Sequence, residues 1–263
     1  MQSAGRWGSA VLSGILSAVV VAGLMVAPAG AAPDLQTAAP KLAWDGCLDV
    51  LGEKSDVVTS IVTELFGSKC GRLSVPVDEA DPTGAQVQLA VIKIPASGDR
   101  IGSLLVNPGG PGASAVDAAI GLGTALAGNP ITEHFDIVAF DPRGVGYSTP
   151  ELRCRTDAEF DAWRREPMVD YSKPGVAAIE KLYADYAQEC VDKLGKPFLA
   201  TVGTASAAKD MDRVRQALGD DKLNYLGFSY GTELGAAYLQ QFPDRVRAMV
   251  LDGAIDPTDD PVE

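Results

Sequence analysis

Five residues late in the sequence, Gly227-Phe228-Ser229-Tyr230-Gly231, have the G-x-S-x-G spacing that puts a serine on a sharp strand-to-helix turn. A serine in that position attacks a carbonyl carbon, and a general base, usually histidine, takes its proton. The two glycines are needed because the turn brings the strand and helix backbones too close for a Cβ atom. The spacing therefore predicts nucleophilic acyl transfer at Ser229.

A general base for Ser229 is not evident in the sequence. The chain has one histidine, His134, and it precedes the serine, whereas in hydrolases with this motif the histidine follows. His134 also stands at the entry of an apolar segment, 135–140, while active sites gather at the carboxyl ends of strands. We interpret His134 as a surface residue and expect the chain alone to be inactive.

A second glycine-rich segment, Asn107-Pro108-Gly109-Gly110-Pro111-Gly112, supplies complementary chemistry. It follows a short apolar strand, where hydrolases with this motif place half of the oxyanion hole. Proline has no N–H, which leaves Gly109, Gly110 and Gly112 as possible donors. We predict that Gly110 and the amide of Tyr230 are the two oxyanion donors. The alternative is a phosphate-binding loop, but the G-G-x-G spacing matches neither the dinucleotide nor the Walker pattern.

Short apolar strands and helical patterns alternate around these motifs, which is typical of a mainly parallel sheet covered by helices. The predicted strands are 71–77, 87–94, 103–106, 135–140, 223–226 and 246–251. The predicted helices are 113–127, one with Val176, Ile179, Tyr183, Tyr186 and Val191 on one face, one with Met211, Val214 and Leu218 on one face, and 232–241.

The first residues have the features of a secretion signal. Arg6 gives a positive start, 11–27 is uncharged and mostly apolar, and Ala29-Gly30-Ala31 fits a cleavage site. We expect 1–31 to be a cleaved signal peptide, 32–40 to be a flexible lead-in, and the protein to be secreted or in the cell envelope. The alternative is an uncleaved anchor, for which the apolar stretch is at the short limit of a membrane span.

The net charge and the cysteine count limit which partners the protein can bind and indicate the redox state of its compartment. The net charge of −13 argues against nucleic acid, because phosphate binding needs a basic surface. The four cysteines of an exported chain favour two disulfides, with three possible connectivities. We favour Cys47–Cys70 and Cys154–Cys190, because each pair flanks one local segment. No C-x-x-C pair occurs and the histidine is remote, so we expect no metal and no cofactor.

Four motifs occurring in order carry a family resemblance: Asn107 to Gly112, Phe140-Asp141-Pro142-Arg143-Gly144-Val145-Gly146-Tyr147-Ser148, Gly227 to Thr232, and Leu251-Asp252-Gly253. Over residues 41–257 they resemble the secreted actinobacterial tripeptidyl aminopeptidase group of the α/β-hydrolase superfamily, which is related to proline iminopeptidases. The resemblance implies an α/β-hydrolase fold with Ser229 as the nucleophile. It also implies a peptidase that releases short peptides from free N-termini, although some members also hydrolyse esters.

Members of that group continue well beyond this point, with a cap region, later strands, and the acid Asp and base His of the triad. The resemblance therefore implies that residues 41–263 are the N-terminal part of an α/β-hydrolase domain, truncated after about the sixth strand. A separate C-terminal half carrying the Asp and His is then the expected partner, beside a peptide or ester substrate. The alternatives are an exported carboxylesterase on the same fold and a non-catalytic remnant or binding module.

Four charged residues near the predicted site are interpreted as structural. Asp141 and Arg143 are expected to form an ion pair that orders their loop, with substrate binding as the alternative. Asp252 ends a strand and is not expected to be the triad acid. Glu233 lies about one helical turn from Ser229 and is expected to be satisfied locally, with contact to a substrate amine as the alternative.

Overall fold

The computed structural model of the protein describes residues 41–52, 63–64, 66–166 and 168–256. The predicted signal peptide and flexible lead-in, residues 1–40, lie outside the described residues, as do residues 257–263. Within the described ranges, the helices lack the combination of length and apolar character that a membrane span requires.

The described part of the chain forms one seven-stranded sheet in the order β1-β2-β3-β5-β4-β6-β7. The strands are β1 Ala43–Asp45, β2 Lys69–Pro76, β3 Gln86–Ile94, β4 Gly102–Asn107, β5 Phe135–Phe140, β6 Leu223–Phe228 and β7 Val246–Asp252. The strands from β1 to β3 pair antiparallel, as do β3 and β5, whereas β5, β4, β6 and β7 pair parallel. The prediction of a mainly parallel sheet is confirmed. The six predicted strands are present, and β1, with three residues, is too short for its alternation to stand out.

Helices follow most of the strands and cover the sheet. They are α1 Cys47–Leu51, α2 Ala115–Ala125, α3 Pro130–His134, α4 Asp157–Trp163, α5 Lys173–Leu194, α6 Lys196–Leu199, α7 Thr204–Ala217 and α8 Tyr230–Gln241, with a 3-10 turn at Pro243–Arg245. Leu218 caps the C-terminal end of α7 and is followed by Gly219 at φ 76°, a conformation that commonly ends helices.

Each face of the sheet has its own apolar core. On one face the strands pack against α7 and α8, with Met211, Leu234 and Tyr238 fully buried. On the other face they pack against α2, whose small residues Ala115 and Ala119 let the helix lie close to the sheet. Central strands are buried on both faces for this reason, which explains why β5 is apolar or buried at every position rather than alternating.

A buried ion pair joins the loop after β5 to α7. The Nε and Nη2 atoms of Arg143 donate to the Asp210 carboxylate at 2.6 and 3.0 Å, and the same guanidinium donates to the carbonyls of Pro76 and Val77. Both side chains are almost fully buried. The prediction that Arg143 pairs with Asp141 is wrong. The loop directs the guanidinium toward α7, and Asp141 faces the opposite core.

The predicted apolar face of α5 belongs to a helix that mostly lies outside the core. Val176 and Tyr183 on that face remain 41% and 49% exposed, and in α5 only Gly175 and Cys190 are buried. Trp163 of α4 packs edge-on against Tyr183 with ring centroids 5.7 Å apart. The helical period was predicted correctly, but the apolar face is shared with α4 and solvent rather than with the sheet.

Two disulfides tie peripheral segments to their neighbours. Cys47 of α1 is bonded to Cys70 of β2, and Cys154, before α4, is bonded to Cys190 of α5, with Cα separations of 4.7 and 4.8 Å. These distances are within the normal range for disulfides. The second bond closes a loop that contains α4 and most of α5.

Peptide mapping under non-reducing conditions should recover both linked pairs. We expect one species that joins the Cys47 and Cys70 peptides and a second that joins the Cys154 and Cys190 peptides. Each link should stabilise the fold by about 2–4 kcal/mol, because it restricts the unfolded chain. A species that joins Cys47 to Cys154 or Cys190, or four free thiols in exported protein, would contradict the pairing.

Removal of the Asp210 carboxylate should destabilise the protein strongly. We expect Asp210→Ala to lower the free energy of unfolding by about 3–5 kcal/mol, because it removes the buried carboxylate that bonds the Arg143 guanidinium at 2.6 Å and leaves only the distant, half-exposed Glu79. Urea unfolding measures the effect. The matched control is Asp185→Ala, which breaks the exposed pair of Lys181 and Asp185 and should cost less than about 0.5 kcal/mol. Equal effects of the two substitutions would show that the buried pair does not hold this loop.

Candidate active site

Ser229 lies at the turn where β6 ends and α8 begins, and its backbone is strained. At φ 52° and ψ −125° it is the one non-glycine residue with positive φ in the described part of the chain. Its N–H donates to the Asp252 carbonyl at 2.9 Å, and its own carbonyl accepts from the N–H of Thr232 at 2.8 Å. Such strain in a β-to-α turn is characteristic of a nucleophile elbow, where it presents the side chain to solvent.

The two glycines of the motif fill positions where no other residue fits. An ideal Cβ atom on Gly227 would lie 2.5 Å from the carbonyl oxygen of Gly231. A Cβ atom on Gly231 would lie 2.8 Å from the carbonyl oxygen of Asn107. Both distances are shorter than any real carbon–oxygen contact. The strand, the helix and the loop after β4 are therefore in direct backbone contact around Ser229.

The glycine-rich loop after β4 lies directly against this turn. A Cβ atom on Gly109 would be 2.5 Å from the Phe228 carbonyl oxygen and 3.0 Å from the Tyr230 nitrogen. Gly109 donates its own N–H to the Asn107 side chain at 2.9 Å, so that amide is already engaged. Gly110 is next in the loop and is exposed. Tyr230 is the first residue of α8, where an N–H has no carbonyl one turn earlier to bond.

This arrangement supports Gly110 and Tyr230 as the oxyanion donors, which stays a prediction. Their two segments meet beside Ser229, and Tyr230 offers its amide at the positive end of the α8 dipole. A tetrahedral oxyanion formed by attack of Ser229 would carry its charge in this region. Donors held by rigid backbone need little reorganisation as that charge develops.

Asp141 fastens the start of α2, and through it the glycine-rich loop, to the segment after β5. Its carboxylate accepts from the Ser114 hydroxyl at 3.0 Å and from the amides of Ala115, Val116 and Tyr147 at 2.8, 3.1 and 2.8 Å. Burial raises the pKa of Asp141, and these hydrogen bonds oppose that shift by stabilising the charged form. Asp141 thus caps the first turn of α2, which lies 25 to 26 residues earlier in the chain. The predicted contact between Asp141 and Arg143 is not formed.

A pocket of about 440 Å³ opens beside the glycine-rich loop and the first turn of α8. Its lining is mainly apolar, with Thr204, Tyr230 and Arg143 as its polar residues. The hydroxyls of Thr204 and Tyr230 are hydrogen-bonded at 2.7 Å. The lining residues are Pro111, Gly112, Pro142, Arg143, Val145, Leu152, Val202, Gly203, Thr204, Ala207, Tyr230 and Leu234. Its mixture of apolar walls and few polar groups is typical of a small-molecule or peptide side-chain site.

His134 lies at the other end of the sheet from Ser229. It is the last residue of α3, is exposed, and has Nδ1 3.0 Å from the Asp99 carbonyl oxygen. Strand β4 pairs with Phe135 at its first residue and with Gly227 at its last, so its whole length, roughly 16 Å, separates the two sites. His134 cannot reach Ser229 and is a surface residue, as the sequence indicated.

The remaining charged residues near Ser229 have distinct surroundings. Asp252 is exposed and contributes its backbone carbonyl to the turn. Glu233 is half-buried, and its Oε1 atom accepts from the Thr204 hydroxyl at 3.2 Å. Across the described ranges, no cluster of three or more His, Cys, Asp or Glu side chains is arranged to bind a metal.

Two contributors to the site were missed in the sequence, Thr204 and Asp210. Thr204 begins α7 and reaches the pocket only because α7 packs beside α8. Asp210 holds the pocket residue Arg143 from the same helix. The helical period of α7 marked its apolar face, but a polar side chain that points to a neighbouring loop leaves no periodic signal.

Comparison with known proteins identifies the fold independently of this geometry. Residues 102–263 match the family model described as alpha/beta hydrolase fold. The chain is 55% identical over 249 residues to a Mycobacterium tuberculosis protein named carboxylesterase B, and 56% identical over 197 residues to serine protease Hip1 of the same species. It is 42% identical over 199 residues to the tripeptidyl aminopeptidase of Streptomyces coelicolor, which confirms the resemblance to that group.

The aligned regions cover most of this chain but a smaller part of each relative. They take in 94%, 75% and 74% of this chain, against 46%, 38% and 36% of carboxylesterase B, Hip1 and the aminopeptidase respectively. The chain therefore spans less than half the length of these relatives.

Two alanine substitutions in the glycine-rich loop should separate backbone strain from close approach. Gly109 and Gly112 both have positive φ, 93° and 96°, but a Cβ atom on Gly112 meets nothing within 4 Å. We expect Gly112→Ala to cost about 1–2 kcal/mol through strain alone. Gly109→Ala should cost about 1–3 kcal/mol more, because its Cβ pushes the loop off the turn. Denaturant unfolding measures both, and equal losses would mean that the loop does not press on the turn.

Proposed function

Because this chain belongs to the α/β-hydrolase fold family, we propose that it forms the nucleophile half of an exported serine hydrolase. The observation that carries the proposal is the strained backbone of Ser229 at the contact between the β6–α8 turn and the glycine-rich loop. Strain of this kind persists only where surrounding structure enforces it. Here it sets Ser229 beside the backbone of the glycine-rich loop and next to Tyr230, which lines the pocket, and these are the parts that acyl transfer needs.

We propose a peptidase that releases short peptides from free N-termini as the leading activity. The names of two relatives, serine protease Hip1 and tripeptidyl aminopeptidase, support a peptidase, and the second supports release from the N-terminus. The name carboxylesterase B supports an esterase as the second candidate. Both reactions pass through a tetrahedral oxyanion at the same donors, so the elbow and loop serve either one.

The proposed mechanism takes its base and acid from outside these 263 residues. A serine hydroxyl needs a base close enough to accept its proton, and the one histidine in this chain lies at the opposite end of the sheet. We therefore propose that a histidine and an aspartate from a C-terminal half, in the same polypeptide or in a separate one, complete the triad. The histidine would hold the proton from Ser229 and return it to the leaving group.

Export is proposed on two observations. The four cysteines form two disulfides in the structure, and disulfides persist in oxidising compartments. The N-terminal sequence has the charge, apolar stretch and small residues of a signal peptide.

A fluorophosphonate probe, which labels activated serines, tests the proposed site. The 263-residue chain alone should not be labelled, because loss of the triad histidine lowers kcat about a millionfold in a serine protease. A chimera that continues this chain with the part of carboxylesterase B beyond the shared region should be labelled. Ser229→Ala in the chimera should abolish labelling.

The outcomes separate the competing proposals. Rapid Ser229-dependent labelling of the chain alone would show that another residue acts as the base. A folded chimera without labelling would overturn the assignment of Ser229. With a labelled chimera, turnover of a tripeptide amide in preference to a short acyl ester would favour the peptidase, and the reverse would favour the esterase.

A further inference from the structure

Glu233 differs from the other buried or half-buried carboxylates near it because, within the part of the chain that the structure describes, it has neither a cationic partner nor several hydrogen-bond donors. Asp210 pairs with Arg143 and Arg213, and Asp212 pairs with Arg215. Asp141 lacks a cation, but four backbone and hydroxyl donors satisfy it. Glu233 receives one hydrogen bond, from Thr204. Removing a carboxylate from water without such compensation is unfavourable.

The position of Glu233 connects it to the pocket. Tyr230 lines the pocket, and Glu233 lies three residues after it, so the two side chains share a face of α8. Thr204, which also lines the pocket, bonds both Glu233 and the Tyr230 hydroxyl. These three side chains form one hydrogen-bonded polar group beside a mainly apolar pocket, whose lining also includes Arg143.

The hydrogen bonding of this group defines the ligand that would complete it. Glu233 uses Oε1 for Thr204 and keeps Oε2 open within the described residues, while the hydroxyls of Thr204 and Tyr230 can accept as well as donate. A guanidinium binds best to both oxygens of a carboxylate at once. One open carboxylate oxygen beside two hydroxyls instead suits a primary ammonium, a compact charge with three donors.

We propose that Glu233, with Thr204 and Tyr230, binds a primary ammonium group of the peptide substrate. This inference rests on the proposed function, because it assigns a substrate group to the same site. Glu233 is about 6 Å from Ser229 along the α8 axis, and an extended peptide advances about 3.3 Å per residue. The ammonium would then lie about two residues from the attacked carbonyl. Glu233 is a specificity-determining residue, and it takes no part in the bond-making step.

Binding of three peptides to the 263-residue chain tests this proposal by isothermal titration. The peptides are Ala-Ala-Ala amide, its N-acetyl form, and N-acetyl-Ala-Ala-Lys amide, which moves the ammonium to a side chain. We expect the free N-terminal peptide to bind about tenfold more tightly than its acetyl form, the scale of one charged hydrogen bond. Tight binding of the lysine peptide instead would identify a side-chain ammonium as the source and would also support the site.

Two matched substitutions test whether Glu233 causes the difference in affinity between the peptides. Glu233→Gln keeps the size of the side chain and an acceptor for Thr204 but removes the charge, and it should make the peptides bind alike. Asp244→Asn removes one charge from an exposed residue after α8 and should leave the discrimination unchanged. If the peptides bind the wild-type chain equally, or none binds at millimolar concentration, the proposal is wrong. It is also wrong if Asp244→Asn removes the discrimination as well.

The chimera keeps this test separate from the proposed function. Fluorophosphonate carries no ammonium, so labelling of the wild-type chimera reports on Ser229 separately from ammonium binding, and Asp244→Asn in the chimera should be labelled at the wild-type rate. Normal labelling without ammonium discrimination would overturn the Glu233 assignment alone. A folded wild-type chimera without labelling would overturn the assignment of Ser229 and leave the peptide-binding result to stand by itself.

Discussion

The structure depends on a contact between two backbones. The loop after β4 and the turn after β6 approach so closely that a single added carbon on Gly109 would collide with the Phe228 carbonyl. This approach follows from the sheet order, because β4 and β6 are neighbours and run parallel, so the segments after them leave the same edge side by side. It is also the condition for two amides from distant parts of the chain to point at one place.

Two adjacent parts of the β5 loop hold that contact from opposite sides of the sheet. Asp141 accepts hydrogen bonds from the start of α2, which immediately follows the glycine-rich loop. Arg143, two residues later, forms an ion pair with α7 and thereby positions one wall of the pocket. The loop therefore transmits the packing of both helical layers to the region around Ser229. Disturbing either residue should affect the site even though neither contacts the serine.

The sequence revealed those features that are encoded locally. Strand β5 was predicted with the same ends that it has in the structure, because a run of apolar residues lies between a histidine and the Asp-Pro turn. The nucleophile elbow was recognisable because the two glycines that it requires, Gly227 and Gly231, lie only two positions from Ser229. The partner of Arg143 was not predictable, since Asp210 is 67 residues away and the nearer Asp141 offered an equally reasonable charge. The pocket hydroxyl of Thr204 was hidden for the same reason, because its place depends on how α7 and α8 pack.

The peripheral position of α5 has a consequence for the dynamics of the protein. A 22-residue helix that buries little beyond Gly175 and Cys190 gains small stabilisation from the core, and much of its attachment is covalent, through Cys154. Regions with few buried apolar groups open at a lower free-energy cost than the global fold. The backbone amides of α5 would then exchange hydrogen with solvent through local opening. The amides of α7 and α8 would exchange more slowly, because their exchange requires global unfolding. The disulfide would keep the opened helix tethered to the segment before α4, so that it can repack while the nucleophile turn, on other elements, remains intact.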